Sequence, residues 1–231
     1  MFDTVTMPAA FTDESEASYS KLAVQLTADI NSGALAGNQR LKVRDLAARY
    51  GVSPSPVREA LQILQGQGLV EIDANKGARV RQLDPEGINQ VCEMTQALES
   101  FAARSLAMSA SPHHIRVLTE IDQRHRQGYE AGNIDQVNDA GREFHFAIFK
   151  FIRNPFVMRA AILHNIMLGT YRRQVGFSQE RLDAICDEHT GILKAIAGHD
   201  SDLAGRLAYE HAKSCTDDLV DRVTHARRGG T

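Results

Sequence analysis

The sequence predicts a mainly α fold in two parts: a small helix-turn-helix unit closed by a β-hairpin, and a larger all-α antiparallel helical bundle behind it. Three observations carry that expectation. Between Leu46 and Val70 the chain reads LAARYGVSPSPVREALQILQGQGLV, two short helical patterns joined at Gly51-Val52-Ser53. Two β-prone runs, Leu69-Val70-Glu71-Ile72 and Ala78-Arg79-Val80-Arg81, then flank the turn-rich Asp73-Ala74-Asn75-Lys76-Gly77. Beyond Asp84-Pro85 everything reads as helix, with apolar residues recurring at three- and four-residue spacing.

Taken in order, residues 1–15 show no periodicity and are expected to form a tail. Tyr19, Leu22, Ala23, Leu26 and Ile30 repeat at helical spacing, and Asn31-Ser32-Gly33 ends that helix. Leu46, Ala47 and Tyr50 form the apolar face of a second helix, which Gly51 can end in the left-handed conformation. Val52 can plug the space between helices, and Ser53 or Ser55 can cap a third, in which proline is tolerated near the first turn. There Val57, Ala60, Leu61 and Leu64 bury one face and leave Ser55, Arg58, Glu59 and Gln62 outside. With the hairpin as a wing, residues 16–83 read as a winged helix-turn-helix that lays the exposed end of its third helix into the DNA major groove. The wing would carry Lys76, Arg79 and Arg81 towards phosphates, and Gly77 would allow close backbone approach. Helix-helix-hairpin units also serve as protein-interaction modules, so the spacing alone leaves that reading open.

Residues 84–226 are expected to form six helices, at 85–109, 112–131, 134–153, 155–174, 179–198 and 200–226, with a frayed 227–231. The breaks fall at Ser111-Pro112, Gly132-Asn133, Asn154-Pro155, Gly176 and Gly198. Short connections between long helices make neighbours antiparallel.

Charge is unevenly spread. The whole chain carries −3, yet Arg40 to Arg81 holds eight Lys/Arg against four Asp/Glu, a surplus of four that leaves the rest at −7. Local positive charge is what phosphate contacts need, and a negative remainder limits indiscriminate adhesion to DNA. Cys92, Cys186 and Cys215 are odd in number and widely spaced, which fits free thiols in a reducing compartment rather than a disulfide framework. The acidic N-terminus, with Asp3, Asp13, Glu14 and Glu16, resembles neither a signal peptide nor a membrane span, so a cytoplasmic protein with no membrane partner is expected.

The stretch VSPSPVREALQILQGQGLV is very similar to the recognition region of GntR-family bacterial transcription regulators. LESFAARSLA at 98–107, EFHFAIF at 143–149, EHTGILKAIAGHD at 188–200 and His211 resemble FCD, the helical effector domain of the FadR-like branch. The motifs run in order from about residue 18 to 220. The resemblance implies a homodimeric, metabolite-responsive repressor, not an enzyme, that reads an inverted repeat in a double-stranded DNA operator. It assigns DNA contacts to Arg44, Ser55, Arg58 and Gly77. Pro54 departs from the family, which commonly has arginine there, so one base contact is missing and the operator should differ.

The resemblance also implies a divalent transition metal, zinc or nickel, held by His145, His189 and His211 from three different helices. The family's fourth ligand, an aspartate one turn before the first histidine, is here Gly141. Asp139 points to another side and Asn138 is two turns away, so neither replaces it. A metal-free pocket that uses the same histidines to bind effector stays open, as does a DNA-binding protein that senses nothing. Where relatives that sense organic acids often carry arginine, this chain has Thr95, which leaves Arg172 and Arg173 as candidate clamps for the expected organic-acid effector. A metalloenzyme is the remaining class, but no HExxH pair is present and Glu143 lies two residues from His145, on another side of its helix.

Overall fold

Apolar residues one helical turn apart dictate the first helix. The computed structural model describes residues 17–73 and 77–229, and its contacts divide between Asp84 and Pro85 into two units. In the first, α1 (Ala17–Ser32) packs on α3 (Pro54–Gly66). Their inward faces, Leu22, Leu26 and Ile30 against Val57, Leu61 and Leu64, are buried. Between them runs α2 (Val43–Tyr50), tied to α1 where Arg49 and the Tyr50 hydroxyl both reach the Asp29 carboxylate, at 2.5 and 2.6 Å. Gly51 ends α2 with φ 67° and ψ 33°, a left-handed backbone that would strain any residue with a Cβ. Ser53 occupies the N-cap of α3 on extended backbone and makes no capping bond through its side chain, while Pro54 takes the first helical position.

Strands β2 (Val70–Asp73) and β3 (Gly77–Val80) pair antiparallel from Val70 opposite Val80 to Asp73 opposite Gly77. A third strand joins them. β1 (Arg40–Leu41) pairs with the other edge of β3, giving the order β1-β3-β2. Two residues carry no readable alternation, so this strand was not foreseeable from periodicity. Lys76 lies outside the described residues.

The second unit is α4 (Pro85–Ala107), α5 (Pro112–Glu130), α6 (Ile134–Phe151), α7 (Pro155–Val175), α8 (Gln179–Ala197) and α9 (Ser201–Gly229). Their starts are chemically marked. Ser111 accepts from the His114 amide while His114 Nδ1 accepts from the Ser111 amide, a reciprocal capping box with histidine in the role usually taken by glutamate. Asn133, Asn154 and Ser178 cap α6, α7 and α8 through side-chain oxygens. Helix α9 lies along α4. Small buried residues permit the close approach, Ala102 and Ala103 on one helix and Ala204 and Ala208 on the other, with the Ser100 hydroxyl donating to the Gly205 carbonyl at 2.8 Å. Phe144, Leu106, Leu118, Ile192 and Ile196 fill the centre of the bundle, and the polar groups beside this core form the site described next.

Candidate DNA-reading surface and histidine centre

On the first unit, Arg44 near the start of α2 and Ser55 and Arg58 on α3 are all exposed. Neither Arg44 nor Arg58 makes an ion pair or hydrogen bond with another described residue, so their charges are available to a ligand. The Ser55 hydroxyl donates to Glu59 at 3.2 Å. Gly77 opens β3 with φ 79° and open space where a side chain would stand. The wing arginines are committed instead: Arg79 donates to the Asn38 side chain at 2.9 Å, and Arg81 pairs with Glu71 across the hairpin at 3.3 Å. Among the arginines expected to face DNA, the two on the helices are therefore the ones without a partner among the described residues.

In the second unit α6, α8 and α9 bring His145, His189 and His211 together, their ligand nitrogens all within 4.8 Å of one another. His145 Nε2 lies 3.2 Å from His189 Nε2 and 3.2 Å from His211 Nε2. Two imidazoles on a tetrahedral zinc, with bonds of about 2.0–2.1 Å, stand about 3.3 Å apart, so this spacing fits a shared cation. The opposite edges of two rings meet carboxylates. Glu188 lies 2.7 Å from His211 Nδ1 and Glu99, on α4, lies 3.5 Å from His145 Nδ1. The Glu188 carboxylate on His211 Nδ1 fixes the tautomer that turns Nε2 towards a metal, while Glu99 Oε2 is buried without a hydrogen bond. Arg181 forks onto Glu188, donating from one nitrogen at 2.8 Å and from a second to the other oxygen. The His189 ring stacks on Phe144 with centroids 4.5 Å apart.

The protonation states follow from burial and neighbours. Burial, and then the charge of His211, hold His145 and His189 well below the usual imidazole range, so both keep lone pairs for a cation. Burial also opposes a proton on His211, but Cys215, Glu188 and Glu99 outweigh it and lift the group to about 10. A metal must displace that proton. Burial pushes Glu99 up to about 7. For Glu188 the same effect is overcome by hydrogen bonds from His211 and Arg181, which bring it down to about 2.

Gly141 faces the centre. A Cβ built on it would stand 3.5 Å from His125 Nε2 and 3.8 Å from His189 Cε1, so the position of the family's aspartate is open and directed at the cluster. His125, Glu188, Arg181 and Cys215 surround the site, and the sequence reading singled out none of them for it. His125 is buried on α5, its ring 4.8 Å from His189 and its Nδ1 3.4 Å from Cys186 Sγ. Glu188 adjoins His189 in the chain, where side chains point about 100° apart, so adjacency signalled nothing. Cys215 did carry a signal, its place four residues after His211.

The candidate clamps stand differently. Arg172 is held by Asp218 at 2.5 Å and the Cys215 carbonyl at 2.6 Å, with its guanidinium over the Phe177 ring, and Arg173 is exposed. A small cleft opens beside His145 and Glu99, walled by Ala102, Ala103, Phe149 and Ile192. It has space for about one water. Among the described residues no helix is long and apolar enough to cross a membrane.

Known proteins share both units. Residues 18–80 match the bacterial regulatory proteins of the gntR family, and residues 90–214 match the FCD domain. The gluconate operon transcriptional repressor of Bacillus licheniformis is 24% identical over 208 residues, covering 88% of this chain and 84% of that one. The probable D-xylose utilization operon transcriptional repressor of Paenarthrobacter nicotinovorans is 27% identical over 183 residues, covering 79% and 80%. The solved structure of Escherichia coli McbR/YncC shares the fold with a TM-score of 0.72 at 20% identity, covering 90% of this chain and 99% of that one.

Proposed function

Because the chain belongs to the GntR family, in the FadR-like branch with an FCD domain, and is thus a DNA-binding transcription regulator with an effector-binding domain, we propose that it is a repressor released from its operator by a small organic acid at a metal held by His145, His189 and His211. The observation that carries the metal-dependent part is the convergence of three imidazoles, His145 Nε2 standing 3.2 Å from both His189 Nε2 and His211 Nε2, with the Glu188 carboxylate against His211 Nδ1. When bound, a divalent ion of the zinc or nickel type would supply a Lewis-acidic position open to an effector carboxylate. With Arg172 already neutralised by Asp218, that ion would be the cation the effector meets. The repressor relatives named for gluconate and D-xylose operons support the sign of control.

The protein would act as a cytoplasmic homodimer on an inverted repeat, using Arg44, Ser55, Arg58, Lys76 and Gly77. Effector must favour one arrangement of the dimer, because equal affinity for both would shift nothing. Catalysis is not part of this reading; Glu143 is paired with Arg124 at 2.7 Å. Titrating labelled operator against full-length protein at fixed salt tests the DNA-binding part. Arg58→Ala should weaken specific binding by about 10- to 100-fold, and unchanged affinity and selectivity would exclude this surface. Gly141 favours a second reading, a metal-free pocket in which the histidines bind effector directly. Metal analysis of protein purified without chelator or nickel resin separates the two, absence of zinc, nickel and manganese deciding for the second.

A further inference from the structure

The histidine centre supplies three neutral donors and lacks the anion that a fourth ligand would bring. Gly141 leaves that position empty on α6, but a different anionic donor, a soft thiolate, stands beside the centre on α9. Cys215 follows His211 by one helical turn, which places both side chains on one face of the helix. Its Sγ lies 3.9 Å from His211 Nε2, the nitrogen that turns towards His145. On a tetrahedral zinc, with bonds of about 2.0–2.1 Å to nitrogen and about 2.3 Å to sulfur, the two ligand atoms stand about 3.5 Å apart. The thiol is a few tenths of an ångström beyond ligand spacing from His211 and would have to swing towards the other two histidines, whose nitrogens group with that of His211 within 4.8 Å without it. Cys186, by contrast, turns its sulfur to His125 Nδ1 at 3.4 Å.

We propose that Cys215 takes the place of the missing aspartate, giving a His3Cys centre built by His145, His189, His211 and Cys215. The proposal rests on the metal-dependent reading above. A thiolate carries the same charge as a carboxylate, so the centre keeps its net charge while the anion moves from α6 to α9. The chemistry shifts towards borderline and soft ions, zinc or cobalt in preference to manganese or magnesium. Four protein donors fill a tetrahedral shell, so an effector oxygen would then bind as a fifth ligand.

Cobalt(II) added to chelated full-length protein tests this by spectroscopy, with no need for an effector or operator. A His3Cys centre shows a near-ultraviolet sulfur-to-cobalt charge-transfer band, and the wild type should show it. The band should vanish in Cys215→Ser and Cys215→Ala and persist in Cys186→Ser. Zinc affinity should fall by about tenfold or more in Cys215→Ser and recover, without the band, in the Cys215→Ser, Gly141→Asp double variant. Stoichiometric cobalt binding by the wild type without the band would overturn the cysteine assignment and leave the three-histidine reading standing. Failure of the wild type to bind cobalt, zinc or nickel would overturn both.

Discussion

Glu188 joins two buried cations, Arg181 and His211, and its hydrogen bonds from both hold the carboxyl down at about 2 against an ordinary value of 4.5. A carboxyl with a lowered folded-state pKa contributes stability that is present above its unfolded value and lost as pH falls through the folded one. Metal-free protein should therefore lose stability from about pH 4.5 down to about 2, and Glu188→Gln should flatten that part of the profile. Denaturant midpoints across a pH series check it, and parallel curves for wild type and variant would refute it. Such a residue was invisible in the chain because its function depends on α9 crossing α8, not on its neighbours in sequence. The three histidines were found through the order of family motifs, whereas Glu188 and His125 needed the tertiary arrangement. Arg58 was legible for a simpler reason: the apolar face of α3 is complete without it.

At the scale of elements, helix ends were the most readable features. Asn154-Pro155 and Ser111-Pro112 pair a side-chain cap with the one residue whose missing N–H costs nothing at the first turn. Ser111→Ala removes the oxygen that receives the His114 amide and breaks the capping box. It should cost about 1 kcal/mol, read as a lowered midpoint in urea, while Ser111→Asp should retain most of the stability; an unchanged midpoint in Ser111→Ala would show that the cap does not matter. Strand β1 escaped because two residues fix no period and its pairing is set by the far edge of β3. Arg81, one residue past β3, pairs with Glu71 of β2, and an exposed pair of this kind is open to exchange with a phosphate.

For the whole molecule, a surplus of four positive charges between Arg40 and Arg81 within a chain of −3 sets how DNA is approached. If Arg44 and Arg58 of each protomer neutralise one phosphate apiece, four contacts give a slope of about −3.6 in log affinity against log salt, or roughly a hundredfold loss over a fourfold rise in salt. A flat series would contradict binding through these arginines. The cleft beside His145 and Glu99 would set the pace of the other equilibrium. If the proposed effector reaches the centre through this cleft, which has room for about one water, the bundle must open to admit it. Stopped-flow association should then saturate as effector concentration rises, levelling at the opening rate, whereas a strictly linear rise would mean that the cleft stands open beforehand. A sensor gated in this way would keep time as well as measure concentration: a metabolite pulse shorter than one opening event would pass without lifting the protein from DNA.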